Sequence, residues 1–447
     1  MKKLIDTLKN IWAIDELKSK ILVTLALVLT YRIGAQITLP GINPLAIEAA
    51  QKAGGSNGLL GIFDMFAGGA FSQASILALG IMPYISASIF MQLMTILVPQ
   101  LQKIQKEGES GRNKINQWTR YLTVIVTAFQ AGAYVAYLNS PGYAEALIPA
   151  YKPYFWFSTV ITLTAGTLFV MWLGEKITDK GIGNGISLII MVGIIAQLPY
   201  GIFAEFATRM EGNGGLIPFI IEIAALFLVV MFTILIVQGV RKIPVQYAKK
   251  QVGSRQVGGV RQYIPLKVNA VGVMPIIFAQ AIMFVPATIA QFFPAAQSSF
   301  LTSFSDYTSI AYNVTFALLI ITFTFFYTAI TVNPVQMSDD MKKNGGFIPG
   351  IKPGKTTGDY IDAVVSKITL PGAVFLAIIA ILPSFANKLG VNSQFAHFYG
   401  GTSLLILVGV VLDTLQQIES YLLMRHYDGL MQSGRIKGRN PVSTGTM

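Results

Sequence analysis

Ten long apolar stretches limit what this chain can fold into. About 20 consecutive apolar residues are needed for a helix to cross a hydrocarbon core ~30 Å thick, and a backbone inside lipid must satisfy its hydrogen bonds internally. Because 53% of the residues are hydrophobic and only 12% are charged, the chain has too little polar surface for a soluble globular protein. We therefore predict an all-α polytopic membrane protein with ten transmembrane helices, at about residues 21–39, 75–98, 118–138, 154–173, 185–204, 216–239, 270–292, 310–332, 369–386 and 401–423.

The positions of lysine and arginine predict the orientation of these helices. If the N-terminus is cytoplasmic, 28 of the 33 basic residues fall in cytoplasmic segments. Arg32 lies within the first span, and the outside segments carry only Lys52, Lys152, Arg209 and Lys388. An excess of basic residues is typical of cytoplasmic loops. The asymmetry therefore predicts ten spans with both termini in the cytoplasm.

A repeated phrase in the sequence predicts an inverted repeat. The hexapeptides Ala78–Pro83 (ALGIMP) and Ala270–Pro275 (AVGVMP) agree at four positions, and each falls in the second span of its half. Five spans per half force the second half to run opposite to the first, which places a functional site between the halves near the middle of the bilayer. A chance match is the alternative in a chain so rich in these residues.

The domain organisation follows from this division. We predict an amphipathic cytoplasmic segment (1–20), a first five-helix half (21–204), an outer hinge loop (205–215), a second five-helix half (216–423) and a cytoplasmic tail (424–447). The second half contains two large basic loops, 241–267 and 333–368. Charge alone indicates either an orientation signal or a docking surface for RNA or an acidic protein.

The stretch that follows Gly58 predicts a segment that enters the membrane and returns. Residues 62–71 are half as long as a span requires, and their glycines and Asp64 are costly to expose to lipid. Short or irregular backbone at membrane depth is stable only where protein or water surrounds it. We therefore predict a re-entrant helix inside a central pore.

The sequence contains no pattern typical of a catalytic or metal centre. It has no cysteine and two histidines, and it lacks the HExxH, P-loop and nucleophile-elbow motifs. Ionisable residues within the spans are few, and we expect Arg32, Glu222, Asp413 and Glu419 to lie at an interface or to pair within the bundle. No catalytic residue, cofactor or metal ion is predicted.

Competing functions can be weighed on the residues alone. A passive pore that closes through an apolar constriction suits helix centres rich in isoleucine, and Pro83, Pro275 and Pro286 are predicted to weaken or bend spans 2 and 7. A secondary transporter shares the inverted-repeat architecture but requires acidic or amide groups near the middle of the bilayer. An intramembrane enzyme is the weakest option, because a catalytic constellation is missing.

Seven distinctive motifs occur in order along the chain, namely YRIGAQITLPGIN (31–43), FAGGAFSQASILALGIMPYISASI (66–89), KEGESGR (106–112), KGIGNGIS (180–187), PLKVN (265–269), GFIPGIKPG (346–354) and GGTSLLI (400–406). Together they resemble the bacterial SecY family of protein-translocation channel subunits. The resemblance implies a channel that translocates unfolded secretory polypeptides across the bacterial inner membrane and releases transmembrane segments sideways into lipid.

The resemblance also implies roles for individual residues. A plug at about residues 63–75 would include Phe63, Asp64, Met65, Phe66, Gly68 and Gly69. A constriction ring would be formed by Ile81, Ile85, Ile186, Ile190, Ile277 and Ile406. A lateral gate would lie between spans 2 and 7, with Pro83, Ser86, Pro275 and Val285.

The partners implied by the resemblance are the small membrane subunits SecE and SecG, the SecA ATPase, the ribosome, signal sequences with nascent polypeptides, and membrane lipid. The two basic loops would dock the ribosome or SecA through Lys249, Lys250, Arg255, Arg261 and Lys352. The family's usual loop reads GIRPG, and this chain has Lys352 in place of the arginine. Lysine keeps the charge but lacks the planar fork that binds two acceptors at once.

Overall fold

The computed structural model describes residues 14–47, 59–139, 146–211, 215–247, 250–252, 255–257, 261–292 and 306–432, together with Trp12, Ala49, Tyr143 and Phe304. Within these residues the chain forms fourteen α-helices. They are α1 (Asp15–Gln36), α2 (Leu59–Phe66), α3 (Met82–Leu97), α4 (Pro99–Lys106), α5 (Glu109–Leu138), α6 (Lys152–Lys180), α7 (Gly185–Glu211), α8 (Leu216–Val237), α9 (Met274–Phe292), α10 (Ile310–Thr331), α11 (Pro334–Lys343), α12 (Lys355–Lys388), α13 (Ser393–Ala396) and α14 (Gly401–Gln432).

Ten of these helices occupy the ten predicted spans, namely α1, α3, α5, α6, α7, α8, α9, α10, α12 and α14. Among the described residues, seven helices are long and apolar enough to cross a membrane on their own, and the pair α3 and α4, bent by 100°, is an eighth. The predicted fold class is confirmed, because the chain is mostly helical and its ten long helices follow the predicted order.

The helices α3 and α9 begin in the same way. Gly80 (φ 53°) and Gly272 (φ 66°) both have a left-handed backbone, and each helix begins two residues later at a Met-Pro pair. Proline suits the first turn of a helix, where its missing N–H has no partner in any case. The prediction that Pro83 and Pro275 bend their spans was therefore wrong, since both prolines start helices. Span 2, predicted from residue 75, is helical only from Met82.

The two halves pack their helices in the same order. In the first half α3 packs on α5, α5 on α6, and α6 on α7. In the second half α9 packs on α10, α10 on α12, and α12 on α14. The equivalent pairs agree with an internal repeat, and α7 joins the halves by packing against both α8 and α14.

Several predicted boundaries shift in the structure. The helix α7 continues to Glu211, so the hinge loop predicted from residue 205 begins later than expected. At the N-terminus, α1 starts at Asp15 and runs unbroken into the first span, while residues 1–11 of the predicted amphipathic segment lie outside the described residues. At the other end, α14 continues into the predicted tail as far as Gln432.

A partly buried ion cluster stabilises the last turns of α7. The guanidinium of Arg209 lies 2.8 Å from the carboxylate of Glu205, one turn earlier, and 2.5 Å from that of Glu222 in α8. The second oxygen of Glu205 accepts the backbone N–H of Asn392 at 2.7 Å, and Arg209 donates to the carbonyl of Gly390 at 2.9 Å. The cluster therefore holds the end of α7 to α8 and to the loop between α12 and α13. Glu222 pairs within the bundle, as expected.

The two basic loops contain strands that the sequence analysis did not predict. They are β1 (Val240–Tyr247), β2 (Lys250–Val252), β3 (Arg255–Val257), β4 (Arg261–Lys267) and β5 (Gly346–Phe347). Strands β1 and β4 pair in antiparallel orientation, from Val240 opposite Lys267 at one end to Gln246 opposite Arg261 at the other. Strand β5 pairs with the end of β1, where Phe347 lies opposite Gln246. Because α11 and the start of α12 pack against this sheet through Ile243, Met341 and Ile361, the two loops fold as one unit.

Candidate functional site at the centre of the bundle

The six predicted ring isoleucines come together in one apolar cluster. Three of them, Ile81, Ile190 and Ile406, are buried, and the other three pack against the same cluster from partly buried positions. They come from the start of α3, from successive turns of α7, and from α9 and α14. The cluster therefore joins helices of both halves, and the constriction itself stays a prediction.

The re-entrant segment belongs to the same apolar cluster as these isoleucines. It consists of the short helix α2 and a series of turns from residue 67 to residue 81. Met65 and Phe66 are the last two residues of α2, and both belong to the predicted plug. They are buried in the same apolar cluster as the ring isoleucines. The side chain of Phe63 lies outside the described residues. The structure thus places the predicted plug and the predicted ring in one apolar cluster.

Asp64 fixes the turn that follows α2. One carboxylate oxygen accepts the backbone N–H of Ser72 at 2.7 Å, and the other accepts the side-chain amide of Gln197 in α7 at 3.1 Å. The backbone N–H of Gly69 also donates to the carbonyl of Asp64 at 2.9 Å. A buried carboxylate is stable when hydrogen bonds replace its hydration. Asp64 therefore folds the plug onto itself and ties it to α7.

Two consecutive glycines let the plug turn back. Gly68 (φ 66°) and Gly69 (φ 89°) both occupy the left-handed region, which side chains rarely adopt. A Cβ at Gly68 would lie 2.8 Å from both the guanidinium of Arg32 and the Cα of Gly193. The plug therefore approaches α1 and α7 closely, and only glycine fits between them.

Further residues hold the plug that the sequence analysis did not assign to it. Arg32 donates to the carbonyl of Gly68 at 2.9 Å, and Tyr31 donates to that of Ala67 at 3.2 Å. From α5, Tyr134 donates to the carbonyl of Phe71 at 2.7 Å. The sequence could have indicated a role for Arg32, because a charged residue within a membrane span often marks a functional position. The tyrosines gave no comparable signal.

A small cavity of about 40 Å³ lies beside Met65. Its lining includes Gln280 of α9, Ser403 of α14, and His397 in the loop between α13 and α14. The hydroxyl of Ser403 donates to the sulfur of Met65 at 3.6 Å. Burial lowers the pKa of His397 to about 4, so its imidazole is neutral near pH 7. The plug thus touches the second half through Met65.

Three of the four predicted gate residues, Pro83, Ser86 and Pro275, lie near the starts of α3 and α9, and Val285 lies further along α9. The hydroxyl of Ser86 donates to the carbonyl of Met82 within its own helix, and the side chain of Val285 lies outside the described residues. The observed side-chain hydrogen bond across the seam instead joins α3 to α10, because Tyr327 donates to the side-chain oxygen of Gln92. The gate between spans 2 and 7 stays a prediction, and the hydrogen bond from Tyr327 adds α10 to the seam between the halves.

The predicted docking residues lie on the paired basic loops. Lys249 and the side chains of Lys250, Arg255 and Arg261 lie outside the described residues. Lys352 is exposed in the turn before α12, and its carbonyl accepts the hydroxyl of Thr357 at 2.9 Å. The turn therefore presents the lysine to solvent from a fixed backbone.

Solved channel structures share this architecture. One described as the structure of a protein conducting channel gives a TM-score of 0.63 at 17% identity, covering 94% of this chain and 95% of its own. Sec61 in the canine ribosome-channel complex from the endoplasmic reticulum gives a TM-score of 0.59 at 16% identity, with the same coverage. At these identities the likeness shows the fold.

Sequence comparison decides the family. The SecY family profile matches residues 75–415. The protein translocase subunit SecY of Chlamydia muridarum is 42% identical, covering 97% of this chain and 99% of its own. That of Streptomyces scabiei is 43% identical, covering 93% and 97%.

The chain belongs to the SecY family. A SecY-family chain is a membrane channel subunit and not an enzyme, which agrees with a centre lined by isoleucine. In another SecY-family structure, with a TM-score of 0.62 at 18% identity, the plug domain is reported to stabilise the closed state of the translocation channel and to maintain a membrane seal. In this chain the segment Leu59–Phe66 and the turns that follow it overlap the stretch that the sequence analysis predicted as a plug.

Proposed function

We propose that this chain is the central subunit of a channel that moves unfolded secretory polypeptides across the bacterial inner membrane and releases transmembrane segments sideways into lipid. The observation that carries the proposal is a single apolar cluster that unites the re-entrant segment with six isoleucines drawn from both halves. A transport path between the halves would pass through this cluster, so the described arrangement corresponds to a closed channel.

Apolar packing accounts for the seal. A constriction lined by branched aliphatic side chains disfavours water and therefore ions, and the plug adds Met65 and Phe66 to the same cluster. Aliphatic side chains also offer no fixed hydrogen-bond pattern to a passing chain. The ring can therefore accept polypeptides of different sequence, which suits a channel for many clients.

The lateral gate would open along the seam between α3 on one side and α9 with α10 on the other. Phe278 of α9 packs against Tyr327 with ring centroids 4.9 Å apart, and Tyr327 in turn contacts Gln92 of α3. A single neutral hydrogen bond contributes only about 0.5–1.5 kcal/mol. A signal sequence that packs its apolar face into the seam could offset a cost of this size.

The two basic loops are the proposed docking surface for the ribosome and for SecA. They fold as one unit, and the segment 241–267 contains seven basic residues and no acidic one. Ribosome-bound relatives of the same fold include yeast Ssh1 bound to the 80S ribosome, with a TM-score of 0.58. We place these loops and both termini in the cytoplasm from the distribution of basic residues, and SecE and SecG against apolar helix faces such as that of α8.

A secondary transporter is the alternative function. It would need ion- and solute-binding groups at the centre, and Asp64 is a buried carboxylate in the re-entrant segment that shares the central cluster. Both oxygens of Asp64 accept hydrogen bonds from Ser72 and Gln197. The carboxylate therefore serves the fold of the plug, and the central cluster favours the polypeptide channel.

Reconstitution tests the proposal. The chain is placed in proteoliposomes with SecE and SecG, and a secretory precursor is added with SecA and ATP. We expect the precursor to become protected from external protease only when this chain is present. Ion-driven uptake of a small solute without precursor protection would support the transporter instead.

A further inference from the structure

A groove of about 530 Å³ lies where the basic loops meet the ends of two spans. Its walls are the end of β4, the last turn of α10, one face of α11 and residues 365–369 of α12. The helix α10 ends at Thr331, and α12 has no charged residue between Lys367 and Lys388. The groove therefore lies at the level where the chain passes from the membrane into water.

The floor of the groove is buried and offers apolar surface. It includes Leu266, Thr328 and Thr369, each largely hidden from solvent. The hydroxyl of Thr328 donates to the carbonyl of Thr324, and that of Thr369 donates to the carbonyl of Val365, both within their own helices. Because these donors are already used, the floor presents mostly methyl and methylene groups, which suit an acyl chain.

The rim of the groove carries two opposite charges. Lys267 and Asp340 both line it, and in the described part of the chain they form no ion pair with each other. Asp340 lies 3.8 Å from Lys343, but both side chains are more than half exposed, and such surface pairs contribute little. Each charge is thus available to a ligand in the groove.

The start of α11 adds positive character to the same rim. Asn333 caps this helix by accepting the backbone N–H of Gln336 at 3.1 Å, and both residues line the groove. A helix N-terminus carries a partial positive charge. Asp340 lies two turns further along the same helix, so the positive and negative parts of the rim are separated.

We propose that this groove binds one membrane phospholipid whose head group carries both a phosphodiester and a primary amine. The phosphodiester lies against Lys267 and the start of α11, the ammonium donates hydrogen bonds to Asp340, and an acyl chain covers the apolar floor. A purely anionic head group would place its charge near Asp340 without compensation. A quaternary amine has no N–H to donate to the carboxylate.

The site lies apart from the proposed translocation path but next to the seam. Thr328 on the floor follows Tyr327, which contacts Gln92 across the halves. A lipid anchored in the groove would therefore pack against the same turn of α10. The inference goes beyond the proposed function, since lipid binding can be measured without translocation.

Lipid retention tests the proposal directly. The full chain with its membrane subunits is reconstituted in nanodiscs of equimolar phosphatidylethanolamine, phosphatidylcholine and phosphatidylglycerol. Lipids that stay bound after detergent release are then counted by native mass spectrometry. We expect the wild type to retain one phosphatidylethanolamine in preference to the other two, by about tenfold, the scale of one charge-assisted hydrogen bond.

Matched variants assign the effect to the groove. Asp340→Asn should abolish the preference, whereas Asp339→Asn, at an exposed neighbour that does not line the groove, should keep it. Lys267→Gln should weaken retention of this lipid, and Lys343→Gln should not. Preferential retention of phosphatidylglycerol, equal retention of the three lipids, or the same behaviour in the Asp340 and Asp339 variants would overturn the proposal.

Discussion

Tyr327 of α10 donates a hydrogen bond to the side-chain oxygen of Gln92 in α3, and this contact joins the second half of the bundle to the first. Elsewhere the halves are joined by the partly buried ion cluster in which Arg209 of α7 pairs with Glu222 of α8 and with the buried Glu205. A neutral hydrogen bond contributes about 0.5–1.5 kcal/mol, whereas separating this cluster would leave the buried carboxylate of Glu205 without its cation, which costs more. We therefore expect the halves to separate at the Gln92–Tyr327 seam and to pivot near Arg209.

Loss of the seam hydrogen bond should make the gate easier to open. Tyr327→Phe removes the donor and keeps the ring that packs on Phe278, so we expect precursors with weakened signal sequences to be translocated about two- to tenfold better. Protease protection of such a precursor measures the effect. Tyr121→Phe, at an exposed position of α5, is the matched control. Equal translocation by both variants would argue against a gate at this seam.

A polar side chain in the ring should let water into the closed channel. Ile85→Asn places an amide against the central cluster, where water can then bind, so we expect a higher resting ion conductance in planar bilayers. Ile85→Val keeps an apolar ring and should leave the conductance low. If the asparagine variant conducts no more than the valine variant, the isoleucines do not form the seal.

The plug should not tolerate a side chain at Gly68. Gly68→Ala adds a Cβ 2.8 Å from the guanidinium of Arg32 and from the Cα of Gly193, at a left-handed position that costs about 1–3 kcal/mol. We expect the plug to be displaced from its contacts with α1 and α7, and the resting ion leak of proteoliposomes to rise. Gly132→Ala is the control, because a Cβ there meets no atom within 4 Å. A leak unchanged from that of the control would show that the plug is not held by this turn.

The basic loop should bind its partner mainly through charge. Lys250→Glu combined with Arg255→Glu should weaken ribosome binding, and wild-type affinity should fall steeply as salt rises, because binding releases counterions from the RNA. Co-sedimentation with ribosomes at several salt concentrations measures both effects. Lys152→Glu combined with Lys388→Glu changes charge equally on the predicted outer side and should have no effect. An affinity for ribosomes that does not depend on salt would contradict charge-based docking and would mean that the basic residues serve only to orient the chain in the membrane.

The sequence predicted the number and order of the spans because hydrophobic length and the placement of basic residues are local properties. The sequence analysis misplaced the start of span 2, because residues 75–81 are as apolar as a membrane-spanning helix. Gly80 in this stretch has a left-handed conformation, and the helix begins after it. The end of α7 was also missed, because its stability comes from the distant partner Glu222. Helical content in polar segments depends on such contacts more than on composition.

The strands and the plug contacts were harder to predict. Ile243 and Val245 are buried in β1 and alternate with exposed residues, a short pattern that the strong basic character of the loop obscured. The ring isoleucines were named from resemblance, and their place in one cluster with Met65 follows from the packing of both halves. Tyr31 and Tyr134 could not have been assigned, because each donates to a backbone carbonyl that sequence does not locate.

Cross-linking of a stalled precursor tests the central claim that polypeptide passes through the isoleucine ring. The chain has no native cysteine, so Ile85→Cys and Ile190→Cys give single reactive sites at the ring, and Ile125→Cys gives one at an exposed position of α5. A precursor with one cysteine in its translocating stretch is arrested midway and oxidised. The account predicts disulfides with the two ring positions and none with Ile125→Cys. Disulfides with Ile125→Cys but with neither ring position, while the precursor is protease-protected, would contradict it.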